Sequence, residues 1–480
     1  MCRHRCSPYN ACVVGMVEMG SGETVAGLKR VLGFAWLYTL AVGAVVGDGI
    51  FTFTGYAMVS AGAAVIISYL IAGITQMFLM LSFGELVVWR PSAGGPEPWV
   101  SHFYGTRLGF IASIAFSIGW IIAGGSTSLA LGTYIYSMLS YAGVELGDQM
   151  VWVTIFALIF VVLFAVLNIL GVAIAAGTQF MLTVLLIGIM VGYAISATFY
   201  INPANFTNPF PNGWGGVVAA IPPAVYAFMG ASTVLFAGEE ARKPVDIARV
   251  LFWASLTFVI IYTWALIGLV GTLPYEEVVK FYEAVYATSA YRLWGPVGGM
   301  VIAFAAWLAA STCLLMGTMY QPARDLYGLA KRGYRVPKWF GYVHPRFGTP
   351  VYNIVLVLIV SATLILMGTF VGHTLGYMLL GYELVWAWIV SWFLTLLAAF
   401  KFRKTHPEIV KQLPWKVPGW PATPILGFIG IAITVFAMFY DLTTSYGIDI
   451  AVITGAISIA WVSILWILAR SIVPDKYGKI

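Results

Sequence analysis

Runs of about twenty apolar residues recur along this whole chain, and wound as a helix each matches the thickness of a lipid bilayer. They can be drawn at 33–59, 63–89, 108–139, 150–169, 172–199, 216–238, 250–273, 295–320, 350–370, 373–400, 422–440 and 450–469. Twelve membrane-spanning helices are thus predicted, with no room for a soluble domain. Composition agrees, since only 9% of residues are charged and 61% are hydrophobic, whereas a soluble domain is roughly one quarter charged.

Charge placement tests the span count independently. With the N-terminus inside, all but Lys280 and Arg292 of the 25 lysines and arginines fall in inner loops or tails. The outer loops carry Glu145, Asp148, Glu276, Glu277, Glu283, Asp441 and Asp449 instead. This split obeys the positive-inside rule and predicts a multi-pass cell-membrane protein with both termini cytoplasmic. The net charge of +6 then reflects topology and the anionic inner leaflet, and nucleic acid is excluded as a partner. Cys2, His4 and Cys6 fit no zinc spacing, so neither a metal centre nor a cofactor is expected there. Met16 or Met19 could serve as a start, which leaves open whether the first fifteen or so residues belong to the native product. The predicted organisation is a tail at 1–32, five spans at 33–199, five more at 216–400, a final pair at 422–469, and a tail at 470–480.

Two spans are interrupted by small residues near their middle. In the first, AVGAVVGDGIFTFTG at 41–55 places Asp48 between Gly47 and Gly49. In the sixth, AFMGASTVLFAGEE at 227–240 places Gly230, Ala231 and Ser232 just after Phe228. A broken helix frees backbone groups where water cannot reach them. Paired breaks in corresponding halves point to an inverted-repeat transporter whose substrate meets those groups. Half-helix N-termini suit a carboxylate, and exposed carbonyls suit a cation.

The motifs around these breaks resemble those of the amino acid–polyamine–organocation permeases. GAVVGDGIF (43–51), FGELVVWRPSAGG (83–95), YAFMGASTVLFAGEEARKPVDIAR (226–249) and QPARDLYGLAKRGYRVPKWFGYVHPRFGTP (321–350) resemble the corresponding stretches of that family. The resemblance implies an all-α integral membrane fold. It would comprise a five-plus-five inverted repeat of the leucine-transporter type, followed by two C-terminal helices. It further implies a mid-membrane site among spans 1, 3, 6, 8 and 10, and amino acids or related amines as substrates, moved with protons, with sodium or by exchange. Three positions depart from the family pattern. Asp48 stands where relatives commonly have a small or hydroxyl residue. Ser232 stands where many exchangers have a glutamate. Leu186 stands where some proton-coupled relatives keep a lysine.

The candidate substrate-binding residues are therefore Val45, Val46, Gly47, Asp48, Gly49, Phe228, Gly230, Ala231, Ser232 and Ser126, with Thr127 and Ser128 beside the last. An aspartate at a helix centre costs about 2.5–3.5 kcal/mol on insertion scales and usually faces a cavity or pathway. Asp48 is expected to bind a substrate ammonium or to carry the coupling proton; the bland alternative is a hydrogen bond that holds the break. Phe228 is expected as a gate over the substrate, against ordinary packing, with Tyr226 the weaker candidate. Ser311 and Thr312 resemble the hydroxyl pair that completes a sodium site in sodium-coupled members, although serine and threonine often only bond the carbonyl four residues back. Glu85 is expected to pair with a basic residue of the inner gate. Glu239 and Glu240 are expected in a solvated salt-bridge network, and Glu383 either lines the site or a proton path, or snorkels to the outer interface.

Rival classes fare poorly. An intramembrane aspartyl protease needs a glycine where Val45 stands and a second intramembrane aspartate, so an enzyme is not expected. A channel would need a filter loop or ring-forming motif, and none is present. A carrier of zwitterionic amino acids is the expectation, with cationic amino acids, polyamines or other amines recognised by Asp48 as the alternative. The sequence leaves the substrate, the coupling ion and the oligomeric state open.

Overall fold

A computed structural model describes residues 28–371 and 373–473 of the chain, and the side chains of 370–380 are outside the description. The cysteines and histidine at positions 2–6 therefore lie outside the described residues.

The described residues are helical almost throughout. In order the helices are α1 (Phe34–Val45), α2 (Asp48–Ala61), α3 (Val65–Trp89), α4 (Glu97–Tyr104), α5 (Thr106–Tyr141), α6 (Gln149–Leu170), α7 (Val172–Thr198), α8 (Gly213–Ala219), α9 (Ile221–Phe228), α10 (Pro244–Thr272), α11 (Tyr275–Lys280), α12 (Val285–Trp294), α13 (Pro296–Thr312), α14 (Gln321–Lys331), α15 (Val351–Val371), α16 (His373–Thr405), α17 (Pro407–Gln412), α18 (Ala422–Ser445) and α19 (Ile448–Ile472). Prolines open α9, α10, α13 and α14 in their first turns, where the missing N–H has no helical partner to lose. Among the described residues the one sheet-like pairing joins Leu32 to Ala241, so the segment before α1 is pinned beside the exit of the second broken helix.

Eleven of these stretches are long and apolar enough to cross a membrane, against the twelve expected. The difference lies at Phe34–Trp89, a 56-residue run that was expected as two spans. No polar loop separates its halves. The chain turns instead through a single 3-10 turn at Gly62–Ala64, with Gly62 at φ +60°, a conformation that glycine adopts without strain. After α10 the 274–294 segment forms two short helices, α11 and α12.

Burial sorts the helices by role. In the Gly213–Ala237 stretch 94% of the most apolar window is buried, against 22% in Ile448–Ile472. The second broken helix is thus the axis of the bundle, and α19 faces outward with an apolar surface suited to lipid. α5 packs on α6, α13, α15 and α16, so it forms one wall of the centre.

Candidate functional site

Both expected breaks are present. α1 stops at Val45, and α2 starts at Asp48 with Gly47 in extended backbone before it. α9 stops at Phe228, Met229 is extended, and the chain resumes as a 3-10 helix over Ala231–Ala237. Gly230 lies between them at φ +134°. A Cβ there would sit 2.0 Å from the Ala44 carbonyl oxygen, so only glycine lets the two broken helices touch.

The carbonyls freed in helix 1 find side-chain partners. Tyr262 of α10 donates to Val45 O at 3.2 Å, and the Thr312 hydroxyl of α13, which donates to Ala309 O at 2.8 Å, also lies 3.4 Å from Val46 O. The Cys313 thiol lies 3.3 Å from Ala44 O. At this depth such partners replace the water that a soluble protein would use.

Between the breaks lies a cavity of ≈ 30 Å³, lined by Val45, Gly47, Asp48, Gly49, Trp120, Thr127, Tyr226, Met229, Cys313, Leu384 and Trp388, with Ala44 and Ala123. It has room for roughly one or two waters and not for an amino acid. Asp48 is only 2% exposed, and Thr127 of α5 donates to its Oδ1 at 3.1 Å. Its position at the start of α2 places the carboxylate at the positive end of a helix dipole.

Aromatic rings close the cavity on both sides. Toward the end from which α9 arrives, Tyr226 packs on Phe53 with ring centroids 4.3 Å apart. Beyond that pair lies a hollow of ≈ 10 Å³ that also touches Tyr226. Toward the other end, Trp120 meets Trp388 edge-on at 5.3 Å, and Trp388 stacks on Phe116 at 4.2 Å. That second end is rich in basic residues. There Arg403 grips Glu85 through Nε and Nη2, one edge of its guanidinium, and the backbone N–H of Val417 donates to Glu85 at 2.7 Å. Arg324 pairs with Glu240 at 3.2 Å, both fully buried, and Tyr320 donates to Glu240 at 2.5 Å. Arg332 pairs with Glu97, and Lys331 with Glu239 at 2.7 Å. At the rim, burial first, then Arg90 and His406, hold the His102 imidazole below its usual value.

A family model described as amino acid permease matches residues 32–468. The chain belongs to this family. A branched-chain amino acid permease of Bacillus subtilis (strain 168) is 26% identical over 482 residues, covering 97% of this chain and 96% of the relative. A gamma-aminobutyric acid permease of the same organism is 23% identical, covering 92% and 94%. A vacuolar cationic amino acid transporter 8 of Arabidopsis thaliana is 29% identical over 352 residues, 70% of this chain and 58% of the relative. The protein is a multi-pass membrane permease, and its relatives are transporters, not enzymes.

Within the permease, the expected site residues divide. Val45, Gly47, Asp48 and Gly49 line the cavity, and Val46 contributes its carbonyl to the Thr312 contact. Phe228 does not line the cavity. Its ring is buried among Tyr69, Phe258 and Tyr262, and Tyr226, two residues earlier, takes the covering position. Ser126 turns back to the carbonyls of Ile122 and Ala123, and the next residue, Thr127, reaches Asp48. Ser232 is buried and accepts from Trp392 at 3.4 Å; Gly230 and Ala231 stand at the contact between the breaks rather than on the cavity wall.

The Ser311–Thr312 pair also resolves differently. Ser311 donates to Trp307 O within its own helix at 2.7 Å. The side chains nearest the carbonyls at the first break are Thr312 and Cys313, where α13 passes into a π-helical turn over Cys313–Thr318. Glu240, expected to be solvated, is fully buried. Glu383 neither lines the cavity nor snorkels. It is 8% exposed and accepts from Ser458 and Trp461 of α19 at 3.0 and 3.1 Å. Trp120, Trp388, Met229 and Cys313 were missed, since apolar and thiol side chains in an apolar helix give no sign of the face they occupy.

Proposed function

We propose that this permease is a secondary active transporter that carries an amino acid by alternating access, with the substrate held between the broken helices and its ammonium group against Asp48. The observation that carries this reading is the meeting of both breaks at one buried carboxylate, with aromatic closures above and below. Parting Tyr226 from Phe53 would open one side, and parting Trp120 and Trp388 from Phe116 would open the other. Opening both together would give a pore, and the small closed cavity favours taking turns.

In this reading Phe34–Trp89 crosses the membrane twice, giving twelve spans, and each broken helix opens one half of a five-plus-five repeat. The basic end is cytoplasmic by the positive-inside rule. The coupling ion is a proton. A sodium ion is a hard cation that calls for oxygen ligands, and beside the helix 1 carbonyls one of the two facing side chains is the thiol of Cys313.

A second reading, cationic amino acids or simple amines, is favoured by the wall chemistry. The lining brings one carboxylate and three faces for cation–π contact, from Trp120, Trp388 and Tyr226, with no lysine or arginine among the described lining residues. The vacuolar cationic relative points the same way. A thermal-shift screen of purified protein against amino acids and amines, with and without sodium, separates the readings, because a bound ligand raises stability by mass action. Sodium-independent stabilisation by an amino acid supports the first reading, and stabilisation by amines lacking a carboxylate supports the second. No response to either class contradicts both.

A further inference from the structure

Two hollows lie along α16 on the outside of the bundle and have no part in the cavity described above. The first, of ≈ 590 Å³, is apolar but for Ser463. Its walls include Leu108 and Ile111 of α5, Val390 and Phe393 of α16, and Trp466 and Ile467 of α19. The second, of ≈ 600 Å³, lies nearer the basic end, and its walls include Tyr104, Phe400, Lys401, Arg403, Lys404 and Trp420.

Helical periodicity joins the two. Residues 393 and 400 are seven apart, as are 394 and 401, and 404 follows 393 by eleven, so on a 3.6-residue helix they share one face. Ring contacts follow the same line. Phe393 of the first hollow and Phe400 of the second both pack on Phe428 of α18, at 5.5 and 5.7 Å, and Phe400 packs on Trp420 at 4.9 Å. On the α5 side, Tyr104 stands one turn before Leu108 and donates to Leu397 O at 3.2 Å, between the two groups of α16 residues. From Val390 to Lys404 this face runs about 21 Å at 1.5 Å per residue. One leaflet with its headgroups is about 20–22 Å deep.

The basic end of the trough holds charge that nothing balances. Arg403 is paired with Glu85, and its guanidinium carbon lies 4.6 Å from the Trp420 ring centre. Lys401 Nζ donates to Phe103 O at 3.0 Å and lies 4.6 Å from the Tyr104 ring centre. Lys404 is exposed. Among the described residues neither lysine meets a carboxylate, and the next acid along the chain, Glu408, pairs with Lys411. Arg107, also exposed, precedes Leu108 and stands one turn before Ile111 on the same face of α5. A neutral lipid would leave these cations without a counter-charge. A soluble anion would leave the apolar hollow without an occupant, and a second copy of this chain would bring the same excess of basic residues against it.

We infer that this trough binds one anionic phospholipid from the leaflet at the basic end, with an acyl chain along α16 between α5 and α19 and its phosphate at Lys401 and Lys404. Basic hollows between membrane helices suit such headgroups. The site holds whatever substrate the permease carries. It lies across the backs of α5 and α16, the two helices whose Phe116, Trp120 and Trp388 rings close the cavity toward this end. Every lipid and detergent brings a chain, so the apolar part cancels when two lipids compete, and headgroup charge sets the preference.

The test uses the full chain purified in a neutral detergent at low salt. Native mass spectrometry reads bound lipid as phosphatidylglycerol or phosphatidylcholine with the same chains is added. Wild type should take up one phosphatidylglycerol at least about tenfold more tightly than phosphatidylcholine. Each lysine near an anionic headgroup is worth about a factor of five. Lys401→Gln combined with Lys404→Gln should therefore weaken phosphatidylglycerol about thirty-fold, and the exposed Lys404→Gln alone about fivefold should the double variant fail to fold. Ser463→Trp, which fills the apolar hollow from α19 without altering charge, should weaken it as well. Lys243→Gln combined with Lys338→Gln removes the same charge from exposed positions elsewhere at the basic end and should not. Equal binding of the two lipids, equal weakening by both lysine pairs, or unchanged binding in Ser463→Trp would overturn the inference. Glycerol 3-phosphate that displaced the lipid at matching concentration would overturn it in favour of a free anion. A dimer that Ser463→Trp split, with lipid binding unchanged, would overturn it in favour of a second copy.

Discussion

Replacing Gly230 by alanine probes the contact on which the whole site depends. The new Cβ would lie 2.0 Å from Ala44 O, 2.4 Å from Ala44 C and 2.7 Å from Val45 N. All three are backbone atoms of helix 1, so no side-chain rotation relieves the clash. An L-residue at φ +134° adds strain of about 1–3 kcal/mol, and forcing two packed elements apart costs roughly another 1–3 kcal/mol. The expected loss is about 2–6 kcal/mol, a large part of the stability of a typical domain. Melting of the purified protein in detergent, followed by amino acid counterflow in proteoliposomes, reads both consequences. Gly188→Ala and Gly192→Ala are the references, since nothing lies within 4 Å of either added Cβ. On the middle of α7 they should stabilise by roughly 0.5–1 kcal/mol. If Gly230→Ala melts with these references and transports at the wild-type rate, the two breaks do not meet as described.

Tyr226→Ala removes the ring that packs on Phe53 and should raise amino acid leak measured without any gradient, whereas Tyr226→Phe should not. Glu85→Gln strands Arg403, which is 19% exposed, and should cost roughly 3 kcal/mol, the low end for breaking a buried pair, read as a lowered melting temperature. The neutral His102 imidazole, its value lowered in the fold, contributes stability above about pH 6.5 that is lost as pH falls through its folded value. The acid limb of the melting profile should accordingly be steeper for wild type than for His102→Gln.

Much of the architecture was legible because its determinants are local. Long apolar runs name membrane helices, and glycines flanking an acid in such a run mark a break. What could not be read was direction. Phe228 gave way to Tyr226, Ser126 to Thr127, and Ser311 to Cys313, each a slip of one or two positions. A slip that small changes the face a helix presents. Two of the three sit at the ends of helices that run into irregular turns, the 3-10 run after Gly230 and the π turn at Cys313–Thr318, and the tilt of such an end is set by tertiary packing. Thr127 lies in regular helix, so its facing depended on how α5 packs. Long-range pairing was equally hidden. Glu85 was expected to find a basic partner, but Arg403 lies 318 residues away and only the closed bundle identifies it. Glu240 read as surface because its neighbours are charged, and it is buried because α14 folds over it.

Recognition of the substrate by this permease turns on a pairing between Asp48 and the substrate's ammonium group. A two-way cycle tests it most directly, measuring binding of an amino acid and of its α-hydroxy acid analogue to wild type and to Asp48→Asn. Losing the carboxylate and losing the ammonium should not be additive, with a coupling of about 1.5–3 kcal/mol, the range for a charged hydrogen bond. Additive losses, with no coupling between the two changes, would contradict it.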